Sequence, residues 1–215
     1  MSSADRAESV AEKVKKEHGV KVVVIQGNMG IESDCKKTVQ EAITALGGLD
    51  VLVSNAGYTR FSDYSDLSAA TAEDWDNCFA VNVKAQSYLM QAALPTFEAN
   101  KEGGVMIITS SVAGENTSGS SMPYSVTKAA QLHLMRCLAR TQGPKVRVNA
   151  VLPGILLTEW GNQYGEEAIR GMKENAWLKK ETDLEDCAQA FVHIAQNASM
   201  TGQKIQIDSG LANVA

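Results

Sequence analysis

Apolar, β-branched runs of strand length recur along this 215-residue chain with a helical stretch between most neighbours, and that alternation leaves few folds open. The runs are Val20-Lys-Val-Val-Val-Ile25, residues 49–53, 104–110 and 145–151, and Lys204-Ile-Gln-Ile-Asp208. Near-continuous apolar runs, rather than strict alternation with polar residues, mark strands covered on both faces. Helical patterns fill 4–18, 32–47, 71–99 and 123–141, and a last helix begins near Thr182 as its N-cap. Strands alternating with helices predict an α/β fold with a mainly parallel sheet. The punctuation agrees: Gly19 and Gly47-Gly48 stop helices, Pro123 stands in a first turn where its missing N–H costs nothing, and Pro95 interrupts the long helix. Loops occupy about 54–68 and 111–121, and an excursion runs over 155–180. No repeat, linker or low-complexity tract divides the chain, and 44% hydrophobic content suits a single domain over 1–215.

Tyr124 and Lys128 lie four apart in Met122-Pro-Tyr-Ser-Val-Thr-Lys, hence on one helix face. An ammonium beside a phenol favours the phenolate, which makes a group of reference pKa near ~10 easier to ionise. Such a phenol can exchange a proton with a carbonyl or hydroxyl near neutral pH. Ser111 ends the apolar run that begins at Gly103, and from the strand tip its hydroxyl could bond the same oxygen. Alone, Tyr-x-x-x-Lys equally suits a polar helix face with one exposed aromatic. Three more segments weigh against that: Ser54-Asn-Ala-Gly57 after a strand, Val81-Asn-Val-Lys84 within an apolar helix, and Leu152-Pro-Gly154 with Thr158 just beyond.

In order and spacing these segments resemble the short-chain dehydrogenase/reductase family, from about residue 4 to residue 210. The resemblance implies a Rossmann-like, doubly wound sheet and hydride transfer between a nicotinamide and a ketone or secondary alcohol. By the same resemblance Tyr124 is the general acid or base, and Lys128 lowers its pKa and meets the nicotinamide ribose. Ser111, thirteen before the tyrosine, orients the substrate oxygen, and Asn82 anchors a water in a proton relay. Asn55, Ala56 and Gly57 match the turn beside the adenosine ribose. Asn28 stands where relatives carry an adenine-binding Asp. Pro153, Gly154, Leu156 and Thr158 match the turn that meets the carboxamide and diphosphate. Each of these positions also reads as an ordinary turn or helix residue, and only the ensemble gives them weight.

The family's opening unit has no counterpart. No glycine-rich turn follows a strand to aim a helix N-terminus at pyrophosphate, and Gly27 and Gly30 precede Ile31-Glu-Ser-Asp34, whose carboxylates would repel phosphate. A doubly wound sheet lacking its first two strands would leave 20–25 without a neighbour and expose the edge of 49–53. Ser2-Ser3 reads as the remnant of a 2′-phosphate turn, which favours NADP(H) over NAD(H).

Net charge −5 and the absence of a long basic block argue against nucleic acid. No apolar stretch reaches the ~18 residues that span a bilayer. Cys35, Cys78, Cys137 and Cys187 lack ligand or pairing spacing, which argues for a reducing, cytoplasmic setting and no metal. Leu132, Leu134, Met135 and Leu138 spread apolar surface over more than one helix face, and the family pairs these helices in homodimers and homotetramers. Trp160, Tyr164, Met172 and Trp177 place aromatic and thioether groups in the excursion, a lid suited to a flat or bulky carbonyl substrate; packing within the lid explains them equally well. Two further readings stand beside the reductase: a reductase-like subunit that has lost dinucleotide binding, and a non-redox isomerase or dehydratase.

Overall fold

The computed structural model describes residues 3–211. Helix α1 (Ser3–His18) and helix α2 (Glu32–Leu46) precede strand β1 (Val51–Ser54). Helix α3 (Ala72–Cys78) passes through a π-turn (Phe79–Lys84) into α4 (Ala85–Ala99). Then come β2 (Gly104–Thr109), α5 (Met122–Gln142), β3 (Val146–Pro153), α6 (Glu166–Asn175), α7 (Leu184–Gln196) and β4 (Lys204–Ile207). The four strands form one sheet in the order β1-β2-β3-β4, every pair parallel.

Strand β2 shows why the sheet is covered twice. Successive side chains of a strand point to opposite faces. Met106 and Ile108 join Phe97, Met135, Val148 and Leu152 on the side of α2, α4 and α5, whereas Val105 and Ile107 join Val151, Cys187 and Ile194 on the side of α7. Gly103 turns the chain into β2 at φ +74, where an added Cβ would overlap the Lys145 carbonyl oxygen.

The run 20–25 is not a strand. It lies outside the sheet with no regular structure, and Val20, Val23 and Val24 remain substantially exposed. A strand is held by ladder hydrogen bonds to a neighbour, and β1 is bonded on one side only, to β2. The open edge of β1 leaves Val51 and Val53 exposed. Pro95 does not break the long helix either: it sits inside α4, and the irregularity lies earlier, in the π-turn around Asn82. The N-cap of α7 is Asp183, which accepts from Glu185 N and Asp186 N, because the Thr182 hydroxyl turns away to the Ile207 carbonyl. Leu132 and Met135 are fully buried in the chain's own core, so they present no free face.

The excursion 155–180 is pinched at its base by Thr182 N bonding Ile155 O. It carries α6 and a 3₁₀ turn (Gly161–Tyr164), and Arg6 of α1 pairs with its Glu159. Among the described residues no helix is long and apolar enough to cross a membrane, and no cluster of His, Cys, Asp or Glu could hold a metal ion.

Candidate active site

The carboxyl ends of β2 and β3 and the first turns of α5 open onto a cavity of about 820 Å³. This is where an open parallel sheet presents its ligand crevice. Ser111, Tyr124, Lys128, Asn55, Pro153, Gly154, Leu156 and Thr158 all line it. Gly57 stands beside it, its Cα packed under the Trp160 indole, where an added Cβ would lie 3.2 Å from the ring.

Lys128 is buried, and its Nζ donates to the Thr109 carbonyl at 2.8 Å and lies 5.3 Å from the centre of the Tyr124 ring. Burial lowers its pKa to about 7, with the Cys78 thiol opposing. Tyr124 moves the other way. Burial, and then the neighbouring Tyr164 phenol, push it above the ordinary tyrosine value, while a hydrogen bond with Ser111 pulls it back. The sequence predicted a phenol made easier to ionise. The lysine faces the ring rather than the hydroxyl, and its own charge is destabilised by the same burial, so solvent exclusion dominates.

Ser111 caps the 3₁₀ turn Val112–Gly114 through Ala113 N. Ser110 points the other way, buried with its hydroxyl on the Lys128 carbonyl, so the serine chosen by counting is the one beside the phenol. Asn82 is fully buried in the π-turn, which widens the helix enough to admit its amide. Its Oδ1 accepts from Tyr58 N at 2.8 Å, and its Nδ2 donates to Tyr58 O at 3.0 Å and to Thr127 Oγ1 at 2.9 Å. The amide clasps the loop after β1 to the helix that carries Tyr124.

Asn28 is not brought to this cavity. It is exposed before α2, its Oδ1 capping Gly30 N and its own N–H donating to Asp34 at 2.8 Å. Ala56 is exposed and does not line the cavity. Trp177 is also outside it, packed on Gly210 and 65% exposed, whereas Trp160, Tyr164 and Met172 of the lid do line it. Ser2 lies outside the described residues, as does the side chain of Ser3.

Sequence reasoning missed a set of hydroxyls beside the phenol. Ser120 donates to Thr59 at 2.9 Å, Thr59 and Ser121 share a bond of 3.0 Å, and Ser121 caps α5 by accepting from Tyr124 N. One signal was legible: a serine two residues before a first-turn proline is an N-cap signature.

A nicotinamide cofactor fits half of this arrangement. Lys128 has three N–H donors and one carbonyl partner, leaving donors for ribose hydroxyls. Gly154 is closed to any side chain, with Thr182 Oγ1 2.7 Å and Asp208 Cα 2.8 Å from an added Cβ, so backbone alone meets a flat group. The diphosphate half does not fit. The one backbone N–H offered by Asn28 ahead of α2 is taken by the Asp34 carboxylate, an anion where an anion would have to bind.

Comparison with known proteins places these residues in company. A family model described as enoyl-(acyl carrier protein) reductase matches residues 1–212. A protein assigned as ketoacyl reductase 2 of the granaticin polyketide synthase of Streptomyces violaceoruber is 35% identical over 188 residues, 86% of this chain and 75% of that protein. Dehydrogenase/reductase SDR family member 4 of Homo sapiens is 31% identical over 89% of this chain and 70% of its own length. Among solved structures, an NADPH-dependent 3-quinuclidinone reductase from Rhodotorula rubra superposes with TM-score 0.88 at 26% identity, over 97% of this chain and 79% of that one. A 7α-hydroxysteroid dehydrogenase with NADH and 7-oxo glycochenodeoxycholic acid superposes equally well, at TM-score 0.88 and 26% identity, over 96% of this chain and 80% of that one.

Proposed function

Because the chain belongs to the short-chain dehydrogenase/reductase family, we propose that it catalyses nicotinamide-dependent carbonyl reduction, with Tyr124 delivering the proton to a ketone oxygen held by Ser111. The observation that carries the reading is that Tyr124 and Ser111 line one cavity, with Lys128 Nζ 5.3 Å from the centre of the Tyr124 ring. Tyr124 holds its proton at neutral pH, the form that reduction needs from a general acid. Ser111 donates to charge that develops on the substrate oxygen, where a fixed donor helps most. Lys128, when charged, stabilises the phenolate left behind. Asn82 holds the Tyr58 loop against α5 and so keeps the cavity's two sides in register. The cofactor, when bound, supplies the hydride.

NADP(H) is the preferred cofactor in this proposal; the NADPH-dependent reductase from Rhodotorula rubra supports it and the NADH-bound hydroxysteroid enzyme weighs against it. The assembly we propose is a homodimer or homotetramer through α4 and α5, on which Leu134 and Leu138 remain partly exposed. The setting we propose is cytoplasmic, supported by four unpaired cysteines.

The experiment is NADPH consumption with a ketone, compared with Tyr124→Phe, which keeps the ring and removes the acid. A fall of about 10²–10⁴-fold supports the assignment, and a near-normal rate overturns it. The Asn28–Asp34 contact favours a second reading, a reductase-like subunit that does not hold a dinucleotide. Calorimetric titration separates the two: saturable NADPH binding supports the enzyme, and no heat at millimolar cofactor supports the subunit.

A further inference from the structure

The cavity contains a second phenol, Tyr164, for which the proton transfer has no use. It closes the 3₁₀ turn Gly161–Tyr164, and that turn is tied down at both ends. At the start, Gly161 N bonds Thr158 Oγ1 at 3.2 Å, and the Cα is pressed so close to the Leu156 carbonyl that no side chain could be added. At the end, the Tyr164 ring meets Phe61 edge-on, 4.9 Å between centres. The residue just before the turn, Trp160, meets the Tyr124 ring edge-on at 5.8 Å. One turn of chain thus seats one aromatic on the proton donor and directs a second hydroxyl into the same cavity.

A row of hydroxyls lies beside the helix that carries the donor. Ser120 bonds Thr59, which bonds Ser121, the N-cap of that helix, and Ser120 pulls on the Tyr164 phenol from beside it. Every member of this row is a hydroxyl, and each can rotate to donate or accept. Ser120 donates along this row to Thr59, and the Thr59–Ser121 link can run in either direction. Tyr164 stands near enough to Tyr124 to push its pKa upward, second only to burial. Met172, Leu184 and Leu211 give the wall apolar patches among polar residues that include Asn175 and Asn116, and placed polar groups in such a cavity are what fix a ligand's orientation.

We propose that Tyr164 is a specificity-determining residue whose hydroxyl holds a second substrate oxygen, so that the pocket selects ketones carrying an oxygen function a few bonds from the reacting carbonyl. This rests on the carbonyl-reduction reading. A site built to bond a substrate oxygen discriminates against the analogue lacking it, because its own hydroxyl is left unpaired.

The test uses ethyl acetoacetate, which has the second oxygen function, and 2-heptanone, which lacks it. Two readouts are taken on the full chain: ligand-observed NMR titration without cofactor, and the ratio of kcat/KM values with NADPH. The wild type is expected to favour ethyl acetoacetate about tenfold in both, and Tyr164→Phe, which keeps the ring on Phe61, to remove that preference. Should the Phe variant not fold, Ser120→Ala, which removes the hydroxyl acting on the Tyr164 phenol, must weaken the same preference. A preference equal in wild type and variant, or absent from the wild type, overturns the proposal. If the binding preference is present and lost in the variant but neither ketone is turned over, the carbonyl-reduction reading falls and the role of Tyr164 in recognition stands.

Discussion

Asn82→Ala should destabilise the chain by about 2–3 kcal/mol, and the figure follows from where its three hydrogen bonds go. The side chain satisfies both backbone groups of Tyr58 and donates once to Thr127. Neutral hydrogen bonds are worth about 1 kcal/mol each, and a buried group left unpaired costs about 1–3 kcal/mol. Tyr58 is only partly buried, so water recovers part of the loss at its N–H and C=O. Thr127 keeps its bond to the Tyr124 carbonyl and loses least. Asn82→Asp sharpens the argument. It preserves shape and the acceptor for Tyr58 N, but it sets a carboxylate oxygen against the Tyr58 carbonyl and removes the donor to Thr127. It should therefore cost at least as much as the alanine, although it is nearly isosteric. Urea unfolding is the assay. With a slope near ~2 kcal/mol/M, the midpoint should fall by about 1–1.5 M at constant slope. A shift below about 0.3 M for alanine, or an aspartate variant as stable as wild type, would refute the clasp.

Further outcomes follow from the same structure. Lys128 has a folded pKa lowered to about 7 from 10.5, so between those values the unfolded chain binds more protons and stability from this group rises with pH; Lys128→Met should flatten that rise in denaturation midpoints measured from pH 6 to 10. Reduction should slow as pH rises through about 7, because the ammonium that steadies the phenolate is lost, and a kcat profile flat to pH 9 would contradict this. Gly103→Ala should unfold the β2 entry or reduce soluble yield sharply, since φ is +74 and its Cβ would overlap the Lys145 carbonyl oxygen; thermal melting decides it. NADPH should bind weakly, with calorimetric saturation only at high micromolar to millimolar concentration, and nanomolar binding would show a phosphate cradle that the Asn28–Asp34 contact rules out.

Much of what depends on periodicity was legible in the residues, although the helix cap at Thr182 and the break at Pro95 were not. Four of five strand runs, the helices between them and the parallel sheet follow from apolar patterns that act within a few residues. The choice of Ser111 comes from the family resemblance instead, and the structure places Ser111 on the cavity wall and turns the Ser110 hydroxyl to the Lys128 carbonyl. What needed tertiary structure was each property set by a partner distant in sequence. Residues 20–25 have a strand's composition, but a ladder requires a neighbour and the sheet offers none. The π-turn exists because Asn82 must reach Tyr58 and Thr127, which no local pattern records. Tyr124 rises instead of falling because the degree of solvent exclusion, unlike the Tyr-x-x-x-Lys spacing, is decided by the lid that covers it. The hydroxyl row Ser120–Thr59–Ser121 and the Tyr164 phenol beside it belong to a loop after β1, the N-cap of α5 and the lid, three segments that only the folded sheet brings together.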